Sequence, residues 1–170
     1  MKPKTIFIIL AVCLVLAGLL TWSYIKSGAS AESVQGVSQT GAKSALTATT
    51  TFYDLGNMPI NGGEVTKEFT VANPTDKDIF VSTLITSCMC TNAYIIEPDG
   101  STKGPFGMLG MGYVPPADET IKAGESRIIR VVFNPAAHGP AGLGMIDRFI
   151  TLTDSAGGTL VLEIKGVVTP

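Results

Sequence analysis

Alternating hydrophobic and polar positions dominate the chain from residue 49 onward. In residues 65–71, Val65, Phe69 and Val71 fall on one face while Thr66, Glu68 and Thr70 fall on the other. This period of two residues is typical of a half-buried strand. The other predicted strands either alternate in the same way or are short apolar runs, and they cover residues 79–85, 129–133, 149–152 and 160–168.

No stretch of this region carries an apolar stripe with the period of a helix. Turn signals such as Asn61-Gly62-Gly63 and Asn73-Pro74-Thr75-Asp76 separate the strands. About seven short strands without a helix predict an all-β protein, an antiparallel β-sandwich over residues 49–170. The inward-facing positions predict a core made of Phe69, Val71, Val81, Ile129, Val131, Phe133 and Leu162.

One segment interrupts the alternation. Residues 92–118 are rich in Gly and Pro and include the run Gly107-Met108-Leu109-Gly110-Met111-Gly112-Tyr113. The composition predicts a long irregular loop, and loops of this length in compact domains are often functional. A surface insertion without a role is the alternative.

The N-terminus has the pattern of an export signal. Lys2 and Lys4 precede an apolar run, and residues 5–25 are long enough to span about 30 Å of hydrocarbon. Trp22 and Tyr24 would lie at the membrane interface. Residues 1–26 therefore predict an N-terminal membrane-anchor helix, a single pass through the cell membrane with the domain on the extracytoplasmic side.

Cleavage of this leader is the alternative, because Ala29-Ser30-Ala31 offers a small-x-small site. Residues 27–48 are rich in Ser, Ala, Gly, Thr and Gln and show no apolar periodicity. Such a stretch buries too little apolar surface to offset the entropy of ordering it, so it predicts a flexible linker between the anchor and the domain.

The balance of basic and acidic residues argues against some classes of function. The chain has 12 basic and 14 acidic residues. Lys2, Lys4 and Lys26 belong to the leader, so the part from Ser27 onward carries an excess of acidic residues. This balance argues against sequence-independent binding of nucleic acid, which needs a dense basic surface. A single histidine, His138, excludes a catalytic centre with several imidazoles, and no catalytic residue is predicted.

Two cysteines follow a predicted strand closely. In extended backbone, Cys88 and Cys90 would share one face with Cα atoms about 6.5 to 7 Å apart. This separation is at the upper limit for a disulfide, so an intrachain bridge requires a local kink. The pair is open to three interpretations: a structural disulfide formed in an oxidising compartment, a pair of thiolates that bind a soft metal, and a thiol redox site.

The metal hypothesis depends on the other soft donors of the chain. Thioether and thiolate sulfur select Cu(I), and imidazole also binds it. Methionines in loops also fill gaps in irregular cores, which is the competing explanation. The candidate ligands of a copper ion are Cys88, Cys90, Met108, Met111, His138 and Met145.

Several motifs together resemble one bacterial family. They are Phe52-Tyr53-Asp54-Leu55-Gly56, Glu68-Phe69-Thr70-Val71-Ala72-Asn73 and Thr86-Ser87-Cys88-Met89-Cys90-Thr91. Over about residues 50–168 the chain resembles the family catalogued as domain of unknown function 1573, whose members are similar to immunoglobulin-like domains of the Hydin type. The family usually has Gly where this chain has Met89. The resemblance implies an exported immunoglobulin-like sandwich and brings no established activity.

These observations predict a non-enzymatic, membrane-tethered extracytoplasmic domain, in the periplasm or on the cell exterior. It would be immunoglobulin-like and would bind a protein partner or serve as a structural element in the cell envelope. A copper-binding or copper-handling protein that uses Cys88 and Cys90 is the first alternative. A thiol–disulfide redox protein is the second.

Overall fold

A computed structural model describes residues 42–170, and within them ten strands form two five-stranded sheets. The first sheet has the strand order β1-β3-β8-β5-β6, and the second has the order β2-β10-β9-β4-β7. The strands are β1 Thr47–Ala48, β2 Phe52–Pro59, β3 Val65–Ala72, β4 Ile79–Thr86, β5 Thr91–Ile96, β6 Thr102–Phe106, β7 Glu119–Ile121, β8 Ser126–Phe133, β9 Gly144–Asp154 and β10 Thr159–Thr169. The predicted all-β sandwich is confirmed, with ten strands instead of about seven.

The pairing of the strands is antiparallel with one exception in this part of the chain. In the first sheet, β3 and β8 pair with Phe69 opposite Ile129. In the second sheet, β9 and β10 form a long hairpin with Leu162 opposite Ile150. The exception is β10, which also pairs in parallel with β2 and therefore lies inside its sheet.

Side chains from both sheets meet in a single hydrophobic core. All seven residues predicted for this core are at most 2% exposed, so the prediction is confirmed. Phe106 and Leu46 are also buried in it, although both lie in segments that the sequence analysis assigned to a loop or a linker. Less and more accessible positions alternate along most of β3 and along β8, which explains why these strands were readable, whereas β4 breaks the alternation at a bulge between Val81 and Thr83.

The prediction of one irregular loop over residues 92–118 is wrong. Residues 91–96 form β5, which pairs with β8, and residues 102–106 form β6 at the edge of the same sheet. Ala93 and Ile95 face the core while Asn92 and Tyr94 are half-buried, so this strand also alternates. Residues 97–101 form the turn between β5 and β6, and the longer stretch between β6 and β7 has no strand and a single backbone bridge, between Met108 and Thr86.

The folded part starts before residue 49. Residues 42–48, which the sequence analysis placed in the linker, contact both sheets. The N–H of Ser44 donates to the carbonyl of Thr159 on β10 (3.0 Å), while β1 pairs with β3. The Ser44 hydroxyl donates to the carboxylate of Asp154 (2.6 Å), and Leu46 is 1% exposed. Residues 42–48 thus cross from one sheet to the other. They bury the side chain of Leu46 and supply a hydrogen bond to the buried carboxylate of Asp154.

Four charged side chains form an ion cluster that links the two sheets at one end, namely Glu97, Lys103, Glu119 and Arg127. Glu119 on β7 accepts hydrogen bonds from Lys103 on β6 and from Arg127 on β8. Its side chain is 3% exposed. Burial raises the pKa of Glu119, but the hydrogen bonds from Lys103 and Arg127 outweigh that effect and lower the pKa below its ordinary value of 4.5.

Residues 42–170 contain no helix that is long and apolar enough to cross a bilayer. Their one helical element is a short 3-10 turn at Gly139–Gly142. The predicted anchor over residues 5–25, and most of the predicted linker, lie outside the described residues.

Candidate functional site

The two cysteines lie at the turn that connects the sheets. The chain leaves β4 at Thr86 and enters β5 at Thr91, and the N–H of Thr91 donates to the carbonyl of Cys88 (3.1 Å). This turn brings the Cα atoms of Cys88 and Cys90 to 5.3 Å, and the two residues form a disulfide. The kink that the sequence analysis required for a bridge is therefore present.

His138 lies against the first of these sulfurs. Its Nε2 atom is 3.3 Å from Cys88 Sγ. The loop that carries it follows β8 and is fixed to the cysteine turn, because the N–H of Asn134 donates to the carbonyl of Cys90 (2.9 Å). The two sulfurs and a ring nitrogen of His138 all lie within 4.8 Å of one another.

Arg148 lies against the second sulfur, and the sequence analysis missed it. Its Nε–H donates to Cys90 Sγ over 3.2 Å. The residue is held in place by the neighbouring backbone, because Ser87 and Phe149 exchange hydrogen bonds of 2.9 Å at the end of β4. Arg148 thus occupies an inward-facing position of β9, and its guanidinium contacts the disulfide.

The charge of Arg148 has no carboxylate partner among residues 42–170. Its remaining hydrogen bond goes to the backbone carbonyl of Asp147 (2.9 Å), whose carboxylate instead pairs with Lys165 (3.3 Å). Burial lowers the pKa of the Arg148 guanidinium, although the negative charge of Asp147 partly opposes the change. The protein therefore keeps a partly desolvated positive charge directed at Cys90.

Exposure of the two sulfur-bearing residues differs. Cys90 is 3% exposed and belongs to the core, whereas Cys88 is only partly buried. The exposed His138 lies beside the more accessible cysteine. Cys88 is therefore the less buried of the two cysteines.

The predicted methionine ligands lie in two places: Met108 and Met111 share one loop, where the N–H of Met111 donates to the carbonyl of Met108 (3.4 Å), and Met145 lies on β9. Met108 has its backbone beside Thr86, two residues before Cys88, and its side chain is exposed. Met111 is exposed in the same loop. Met145 is 89% exposed and alternates along β9 with Ile146 and Arg148, so it faces away from the disulfide. Of the six predicted ligands, Cys88, Cys90 and His138 are brought together.

This arrangement supports two kinds of chemistry. A thiolate is stabilised by a nearby cation, so the guanidinium at Cys90 favours opening of the disulfide with the negative charge on that sulfur. Once reduced, the pair places two soft sulfur donors beside an imidazole, which is a set of ligands suited to a soft metal ion.

Comparisons with known proteins concern the fold alone. No family model and no curated protein matches the sequence. The chain is similar to a protein of unknown function from Porphyromonas gingivalis, at 15% identity and a TM-score of 0.52, over 79% of this chain and 50% of that protein.

Weaker similarities extend to a family 123 glycoside hydrolase from Clostridium perfringens, with a TM-score of 0.49 and 8% identity over 69% of this chain and 22% of that one. Another is the secreted serine protease VesC from Vibrio cholerae, with a TM-score of 0.45 and 15% identity over 74% and 24%. The chain spans half or less of each of these three proteins. The resemblance to domain of unknown function 1573 stays a prediction.

Proposed function

We propose that this chain is a membrane-tethered, extracytoplasmic immunoglobulin-like domain whose Cys88–Cys90 pair exchanges its disulfide with a protein partner in the cell envelope. The observation that carries this proposal is the guanidinium of Arg148, which donates to Cys90 Sγ and has no carboxylate partner within residues 42–170. The Lys-flanked apolar run of residues 5–25 supports the tether and the location.

The exchange proceeds by attack on Cys88 Sγ, the sulfur of the less buried cysteine. A thiolate of the partner attacks Cys88 Sγ, a bond forms between those two sulfurs, and the Cys88–Cys90 bond breaks. Its electron pair leaves on Cys90 Sγ, where Arg148 stabilises the new thiolate. A second partner thiolate then attacks the mixed disulfide, which oxidises the partner to a disulfide and releases Cys88 beside His138.

A purely structural staple does not account for Arg148. The sulfur of a disulfide is neutral and a weak acceptor, so it compensates poorly for the desolvation of a guanidinium. A thiolate compensates well, since hydrogen bonds to charged groups contribute about 1.5 to 3 kcal/mol. The protein therefore stabilises the reduced Cys90 more than the oxidised pair.

The test compares how fast the disulfide is opened in the full chain, in detergent, by a small dithiol. Alkylation followed by mass spectrometry measures the fraction reduced over time. Arg148→Met should slow the opening about ten- to a hundredfold, the kinetic equivalent of one charge-assisted hydrogen bond. Arg130→Met is the matched control, because this strand arginine pairs with Glu68 on the exposed surface.

Two results would contradict the exchange. One is an Arg148→Met variant that opens as fast as the wild type. The other is a Cys90→Ser variant in which the remaining Cys88 thiol forms no mixed disulfide with an added small-molecule disulfide, a reaction that breaks the reagent's S–S bond and releases one of its thiols. The tether is tested separately by the intact mass of the native protein, and a mature chain beginning at Glu32 would exclude the anchor.

A further inference from the structure

We infer that the reduced form of this site binds one Cu(I) ion between Cys88 Sγ, Cys90 Sγ and His138 Nε2. The inference rests on the proposed function in one respect, because the disulfide must open before either sulfur can bind a metal. It adds an activity that disulfide exchange does not include.

The three donor atoms already lie close to the separations that a metal needs. Ligands about 2.0 to 2.3 Å from a metal in a trigonal plane are roughly 3.5 to 4 Å from one another. His138 Nε2 is 3.3 Å from Cys88 Sγ, and all three donors lie within 4.8 Å. After reduction the two sulfurs must move apart, and a Cα separation of 5.3 Å allows this through side-chain rotation.

The backbone fixes the two segments that carry the ligands. The hydrogen bond from Asn134 N–H to the Cys90 carbonyl (2.9 Å) joins the loop of His138 to the cysteine turn. The imidazole therefore already lies beside the sulfurs before a metal ion binds, which lowers the entropic cost of binding.

Charge selects a monovalent ion. Two thiolates, one neutral imidazole and Cu(I) give a complex with one negative charge, and Arg148 provides one positive charge at Cys90 Sγ. A Zn(II) ion would make the same complex neutral and leave the guanidinium uncompensated. Three donors also fall short of the four that a closed structural zinc site uses. Thiolate sulfur is soft, which favours Cu(I) as well.

His138 as the third donor makes the methionines dispensable. Met145 faces away along β9, and Met111 is exposed in its loop. The Met108→Leu/Met111→Leu pair should therefore bind Cu(I) as the wild type does, whereas His138→Leu should weaken binding. His138 is exposed, so its replacement leaves the core intact.

The experiment is competition between the full chain, reduced and kept in detergent without oxygen, and a chromogenic Cu(I) chelator. The wild type should take up one equivalent, and Cys88→Ser/Cys90→Ser should take up none. His138→Leu should lose at least about tenfold in affinity, the lower bound for disturbing a metal's ligand environment. Arg148→Met should weaken Cu(I) more than Zn(II), while Arg130→Met should change neither.

Three outcomes would overturn the inference: a reduced wild type that cannot compete for copper, a His138→Leu variant that binds as tightly as the wild type, and a methionine pair that weakens binding as much as His138→Leu. The rate of disulfide opening, measured without copper on the same preparations, reports on the exchange independently. A protein that exchanges but binds no copper refutes the metal site alone.

Discussion

Replacement of Glu119 by glutamine should destabilise the sandwich by about 3 kcal/mol. The carboxylate lies between Lys103 and Arg127, and each of its oxygens accepts a hydrogen bond from one of these cations. An amide has only one acceptor oxygen, so its NH₂ group would face a donor. Loss of one partner from a buried ion pair costs roughly 3 to 5 kcal/mol.

The lower end of that range applies because Arg127 keeps other partners. Its guanidinium lies 3.2 Å from the carboxylate of Glu97 and 3.1 Å from that of Glu125. For a domain of this size, a loss of about 3 kcal/mol corresponds to a decrease in Tm of roughly 10 °C.

The effect should depend on pH in one direction. The pKa of Glu119 in the folded protein is below its ordinary value of 4.5, so its stabilisation is complete above that value. It is lost as the pH falls through the lower folded pKa, where the carboxylate takes up a proton. The difference between wild type and Glu119→Gln should be full at pH 7 and should shrink below about pH 4.5.

Urea unfolding, followed by circular dichroism at pH 7 and below about pH 4.5, measures these differences in the free energy of unfolding. Glu163→Gln is the control, because Glu163 pairs with Lys165 on the outer side of β10, and it should cause no measurable change. Equal unfolding midpoints for wild type and Glu119→Gln at pH 7, with equal m-values, would show that the buried ion cluster contributes no more than a surface pair.

The remaining predictions concern packing. Leu46→Ala should destabilise by about 2 to 5 kcal/mol in chemical denaturation, which no flexible linker residue would do. Phe133→Ala should cost about 3 to 5 kcal/mol by the same measurement, and a loss under about 1 kcal/mol would exclude full burial of its ring. Gly158→Ala should lower the Tm, because an added Cβ would lie 2.6 Å from Asp154 Oδ2, whereas Gly107→Ala meets nothing nearer than 3.6 Å and should leave it unchanged.

The strands of the core were predictable because burial imposes a period of two on their sequence. Residues 65–71 and 129–133 alternate except at Lys67 and Val132, and they pair with each other as β3 and β8. The strand β5 also alternates in its sequence, but only over the four residues 92–95. The Gly and Pro residues around it led to the prediction of a loop instead. For a strand as short as residues 91–96, the alternation of inward-facing and outward-facing positions therefore predicts the structure better than the local Gly and Pro content does.

The cysteine pair was recognisable from its spacing, whereas its surroundings were not. His138 and Arg148 are 50 and 58 residues from the cysteines that they contact, and no local pattern encodes such contacts. The alternation of inward-facing and outward-facing positions along β9 contains one signal that could have identified Arg148. Arg148 lies two positions from Ile146 and from Ile150 on the inward face of β9, so the pattern places a charge where a partner is required.

The strand β10 lies between β2 and β9, so the second sheet cannot close until residues 159–169 have been synthesised. Its parallel pairing with β2 places Glu163 opposite Phe52, residues that are far apart along the chain. Pairings of this kind make folding slow, because a long loop closes before the contacts form. A nascent chain therefore cannot complete its second sheet until its last strand has been synthesised.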